Sequence, residues 1–191
     1  MKINFSHFNV AARNVVVIAN TIKTLRRKQD IDDVDLAIAA SAVESPAIDN
    51  IKQLGISFSS LCKQLKIDVN ELRLNLQVKT KLGNPFTSEL LVPELDDYED
   101  FTPSGRFIIH WLSNLALNTA IRNSRESNKD SFPLGDPSDL TVKPEHILFV
   151  ALSNRGAAPS KLIEAVYHGA DLDPAKTLRE RLGFKSYDIT H

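Results

Sequence analysis

The side chains with the makings of a site stand together at Lys143-Pro144-Glu145-His146, a carboxylate beside an imidazole at the head of the apolar run Ile147-Leu148-Phe149-Val150-Ala151-Leu152. Pro144 suits the first turn of a helix, where no N–H is needed, and Glu145 there meets the positive end of the helix dipole. The run leaves no wet face, so this helix is expected in the core. A degraded echo lies upstream, where Asp32-Asp33-Val34-Asp35 leads into Leu36-Ala37-Ile38-Ala39-Ala40.

An acid next to an imidazole could do proton transfer, but that chemistry needs company. No serine or cysteine nucleophile stands at a motif, and His7, His110, His168 and His191 are scattered with no second histidine at ligand spacing. His146 therefore reads as a partly buried ring bonded to a neighbouring helix end, and neither catalysis nor a metal is expected. The single cysteine, Cys62, excludes a disulfide framework and a cysteine-rich zinc site. It shares one helical stripe with Phe58, Leu61 and Leu65, the position of a buried structural thiol.

Composition narrows the class further. The chain has 191 residues, 42% hydrophobic and 25% charged, with a formal net charge of −1. That is a globular composition, and it offers no electrostatic ground for nucleic acid. The apolar runs fall far short of the ~20 residues a membrane-spanning helix needs, and the first ten residues lack a signal core, so a cytoplasmic location is expected.

Caps and periods place the elements. Asn9 caps a first helix carrying Val10, Val15, Ile18, Ile22 and Leu25 to about Lys28. Its last turns crowd Lys23, Arg26, Arg27 and Lys28, which complement the negative end of the dipole. Asp32 or Asp33 starts a second helix ending near Glu44-Ser45. Pro46 opens a third with Ile48, Ile51 and Leu54 inward, closed at Gly55. Ser57 starts a fourth to about Leu65, and Val69, Leu72, Leu76 and Val78 define a trailing one that Gly83-Asn84-Pro85 breaks. An acidic, proline-bearing linker over 84–100 follows.

The second half repeats this order. Thr102 caps a helix with Pro103 at its first position and Phe107, Ile108, Trp111, Leu112 and Leu115 on one broad face. A polar loop over 124–140 leads to the Lys143 helix, then to one from Ala157 or Pro159 that ends at His168-Gly169, and to a last one opened by Asp173-Pro174. Phe8-Asn9 and Phe101-Thr102 are 93 positions apart, as are Arg13 and Arg106, while Val34-Asp35 and Glu145-His146 are 111 apart. The difference of 18 is about the length of the 124–140 loop, so one insertion reconciles the halves, and Gly55 and Gly169 align at 114. The expectation is an all-α fold of two pseudo-symmetric four-helix repeats, 1–83 and 101–191, forming one compact domain.

On these residues the chain resembles the Clp N-terminal domain, the double repeat that precedes the ATPase rings of Clp-type unfoldases. The resemblance rests on Phe101-Thr102-Pro103 opening a long helix, the polar loop, Lys143-Pro144-Glu145-His146-Ile147-Leu148 and the helix ending in Gly169. It departs from the family at Val34-Asp35, where a second Glu-His is usual, and in its longer loop and linker.

No phosphate-cradling G-x-x-x-x-G-K-[ST] occurs, and no ATPase ring fits beside the repeats, so the resemblance implies a free-standing recognition module that is not an enzyme and needs no cofactor. Its expected partners are a Clp-type ATPase or its substrates and degrons. The alternative is a module that sequesters small molecules or cyclic peptides directed at Clp unfoldases. Family members that recruit phosphoarginine-marked proteins hold the guanidinium with the glutamate of each Glu-His. That role falls on Glu145, with Lys143 and His146 beside it; in the other repeat only Asp32, Asp33 and Asp35 surround Val34. A bidentate carboxylate pair suits a guanidinium fork, whereas a purely structural Glu145 would serve only the helix start. The resemblance also implies that the two first helices meet near the repeat axis, where Phe5, Phe8 and Phe101 either frame a groove or close the core ends.

Overall fold

The computed structural model describes residues 3, 5–77, 98–125, 141–153 and 157–167, with backbone alone at 98, over 115–125 and at 153. Its helices are α1 (Val10–Leu25), α2 (Asp33–Ala42), α3 (Pro46–Lys52), α4 (Phe58–Gln64), α5 (Val69–Gln77), α6 (Pro103–Arg125), α7 (Pro144–Ser153) and α8 (Ala158–Val166), with a 3-10 turn at Tyr98–Asp100. The described residues are all-α apart from two isolated bridges. No helix among them is long and apolar enough to cross a membrane.

The two helices without a polar face lie at the centre. α2 packs on α7, α1 on α2 and α6 on α7; α4 and α8 meet, and α5 lies on α1. Leu36, Ile38, Ile147 and Leu148 are wholly removed from solvent. Burying each such Leu or Ile is worth ~1.5–3 kcal/mol, which is how the apolar runs specify a centre rather than a surface.

Helix starts follow the sequence closely. Asn9 Oδ1 accepts from the Ala12 N–H at 2.7 Å, Ser57 and Ser60 form a capping box, and Thr102 Oγ1 accepts from the Gly105 N–H. Helix ends follow it less well. α1 stops at Leu25 rather than Lys28: the Arg27 N–H donates to Thr24 O and the Lys28 N–H to Lys23 O, with Arg27 at φ 55. This is the Schellman ending, here on an arginine where a glycine is usual. α4 ends the same way on Lys66, at φ 57, while Gly55 takes φ 84 after α3 as its type suggests. α2 stops at Ala42, because Val43 is already extended and the chain stays extended at Ser45 ahead of Pro46.

In α6 the buried positions Gly105, Ile108, Ile109, Leu112 and Ser113 recur at spacings of three and four. Phe107, expected to face inward, falls outside that stripe and is 62% exposed, whereas Ile109 is buried. Trp111 packs partly buried against the core. α6 also runs through Ser124 and Arg125, the first residues of the expected loop. The rest of that loop, the linker up to residue 97, Val78, His168, Gly169 and the helix expected after Asp173 lie outside the described residues.

Two parallel bridges tie the early helix starts together across the chain. At Phe8–Val142, the Val142 N–H donates to His7 O at 2.6 Å and the Asn9 N–H to Val142 O at 3.0 Å. At Ile31–Phe101, the Ile31 N–H donates to Asp100 O at 2.8 Å and the Thr102 N–H to Ile31 O at 2.9 Å.

Candidate functional site

The start of α7 is held from both parts of the chain. Val142 is fixed by its bridge to Phe8, and α7 begins two residues later. The Lys143 N–H donates to His146 Nδ1 at 3.1 Å. A ring nitrogen that accepts carries no proton, so this bond places the His146 proton on Nε2 and makes the buried ring a helix cap. Glu145 is half-buried, and its Oε2 accepts from Ser45 Oγ at 3.0 Å. Ser45 stands at the cap position of α3 but makes no capping bond there.

The turn that starts α2 is differently charged. Asp32 Oδ1 accepts from the Asp35 N–H at 2.8 Å and Asp35 Oδ2 from the Asp32 N–H at 3.0 Å, a reciprocal capping box. Arg26 Nη1 bridges the pair, 2.5 Å from Asp35 Oδ1 and 3.0 Å from Asp32 Oδ1, and Lys28 pairs with the other Asp32 oxygen. Burial pushes the Asp35 carboxyl up to about 6 despite its bond from the Asp32 N–H. Burial works to raise Asp32 as well, but bonds from Lys28 and Asp35 hold it below the ordinary range. Asp33 is raised by burial and by the Asp32 charge.

Two members of the basic cluster are thus neutralised within the chain, and Asp32 and Asp35 already hold a guanidinium of their own. Val34, 111 positions before Glu145, is buried and presents nothing outward. Among the described residues no cation pairs with Glu145.

The aromatic candidates divide. Phe8 and Phe101 are buried in the core, and Phe5 is half-buried with its ring edge-on to Phe8 at 5.2 Å between centroids. Cys62 is fully buried, and burial pushes its thiol up to about 12, a value at which thiolate chemistry is closed. Among the described residues no group of three His, Cys, Asp or Glu could hold a metal ion.

Three residues stand outside the candidates that the sequence motifs supply. Ser45 looked like an ordinary residue before a proline, and nothing local tells that its hydroxyl reaches position 145. Arg26 is expected only to complement the helix dipole, whereas it pairs with acids six and nine positions on, a partner set legible in the sequence. Gly105 has no local mark; its signal is an alanine, Ala12, 93 positions earlier. Searches of protein-family models and of curated proteins find no match to this chain.

Proposed function

We propose that this chain is a non-catalytic recognition module of the Clp protein-unfolding and degradation system, a cytoplasmic double repeat that presents Glu145 to a guanidinium-bearing ligand or partner. The observation that carries the reading is the reciprocity of the two bridges. Phe8 and Phe101 are 93 apart, Ile31 and Val142 are 111 apart, and each phenylalanine pairs with the other half's partner. The backbone bonds obey the same offsets: His7 O and Asp100 O accept from Val142 and Ile31, and those two residues accept from Asn9 and Thr102. The caps obey them too, since Asp35 and His146 each accept the N–H three residues before them.

Such exchange is expected of two repeats related by a pseudo-twofold and has no reason to arise between unrelated helices. It supports the Clp N-terminal likeness drawn from Phe101-Thr102-Pro103 and Lys143-Pro144-Glu145-His146, and function is carried over from that likeness. One functional position follows rather than two: Glu145 has no cation partner among the described residues, whereas Asp32 and Asp35 share Arg26.

The test is affinity isolation of the tagged chain under ATP-binding conditions. Recovery of a Clp-type ATPase with its peptidase supports the recognition role. Tight binding of Clp-directed cyclic peptides without that complex would replace it with sequestration.

A further inference from the structure

We propose that Ser45 is the positioning residue of the Glu145 site: a hydroxyl from the first half of the chain that fixes the carboxylate with which the second half takes a guanidinium. This rests on the recognition reading above and adds to it a composite site, incomplete in either half alone.

Ser45 is 8% exposed and stands at the cap position of α3, directly before Pro46. A serine there ordinarily accepts from an N–H two or three residues on. Here it makes no such bond, and its Oγ instead donates to Glu145 Oε2 at 3.0 Å, one hundred residues away in sequence. A buried hydroxyl that forgoes its local partner for a distant carboxylate holds that carboxylate in one orientation. Glu145 otherwise keeps the rotamer freedom of a long side chain, which a ligand would have to freeze on binding.

The bond does not consume the site. Each carboxylate oxygen accepts at two positions, so Oε2 retains one and Oε1 is left for the second arm of a guanidinium fork. No described cation competes for it, in contrast to Asp35 with Arg26. Ser45 therefore acts through Glu145, and its effect is on affinity.

The experiment is a phosphoarginine titration followed by amide NMR in the wild type, Ser45→Ala and Ser45→Thr, with the melting temperature of each measured alongside. Ser45→Ala is expected to bind about 3- to 10-fold more weakly, the worth of one hydrogen bond, and Ser45→Thr to restore binding to within about twofold because it keeps the hydroxyl. Should Ser45→Ala not fold, Ser45→Gly removes the same hydroxyl with a residue tolerated at helix caps. Wild-type affinity in a folded variant without the hydroxyl overturns the positioning role and leaves the recognition reading intact. A wild type that shows no shifts at millimolar ligand overturns the positioning role together with guanidinium recognition at Glu145, and reduces the Ser45–Glu145 bond to a packing contact between the halves.

Discussion

Gly105 and Ile31 approach so closely that a Cβ built on Gly105 would lie 2.6 Å from the Ile31 carbonyl oxygen. That same oxygen accepts the Thr102 N–H at 2.9 Å and Thr102 Oγ1 at 3.3 Å, so the start of α6 is seated on the residue that leads into α2. The contact is backbone on backbone and neither side can swing away.

Gly105→Ala is accordingly expected to destabilise the fold by ~1–3 kcal/mol, the cost of an atom forced into a filled space. The sign is informative, because alanine in an open helical position would stabilise by about 1 kcal/mol over glycine. Urea unfolding decides it, and a midpoint equal to or above the wild type would show that α6 is not seated as described.

Arg27→Gly is expected to act the other way. Arg27 is exposed at φ 55 in the turn that ends α1, a conformation costly for any residue with a Cβ. Glycine there should gain ~0.5–1 kcal/mol while leaving Arg26 with its acids. A loss of stability in chemical unfolding would contradict the Schellman ending.

Asp35 sets a pH dependence. Its carboxyl titrates near 3.8 when unfolded and at about 6 in the fold, so between those values the folded chain holds the extra proton. Its contribution is full below 3.8 and is lost as pH rises through 6. Asp35→Asn, which cannot ionise, should gain on the wild type in stability between pH 5 and pH 7.5. A gap of constant size across that range would mean that Arg26 keeps Asp35 ionised throughout.

The legible part of this fold is the part written in short-range chemistry. Asn9, Asp32, Ser57 and Thr102 announce helix starts because a cap needs a particular side chain next to a particular N–H. The burial of α2 and α7 was legible from runs that leave no polar face. The ends of α1 and α4 were not, since Arg27 and Lys66 adopt a backbone that glycine usually marks. Phe107 faces outward against its spacing, because Phe107 and Ile109 flank Ile108 and only packing tells which side is inward. Of the candidate site, Glu145 and His146 were legible at the helix start they occupy, and Ser45 was not, since a contact spanning one hundred residues leaves no trace in either segment.

Guanidinium recognition depends most directly on Glu145. Phosphoarginine titrated calorimetrically into the wild type and into Glu145→Ala should show saturable binding to the wild type. The variant should fall by ~30- to 150-fold, the effect of losing a charge-assisted pair worth about 2 to 3 kcal/mol. Equal affinity in the two proteins, or no heat from the wild type at millimolar ligand, would contradict it and leave Glu145 as the residue that joins α7 to Ser45.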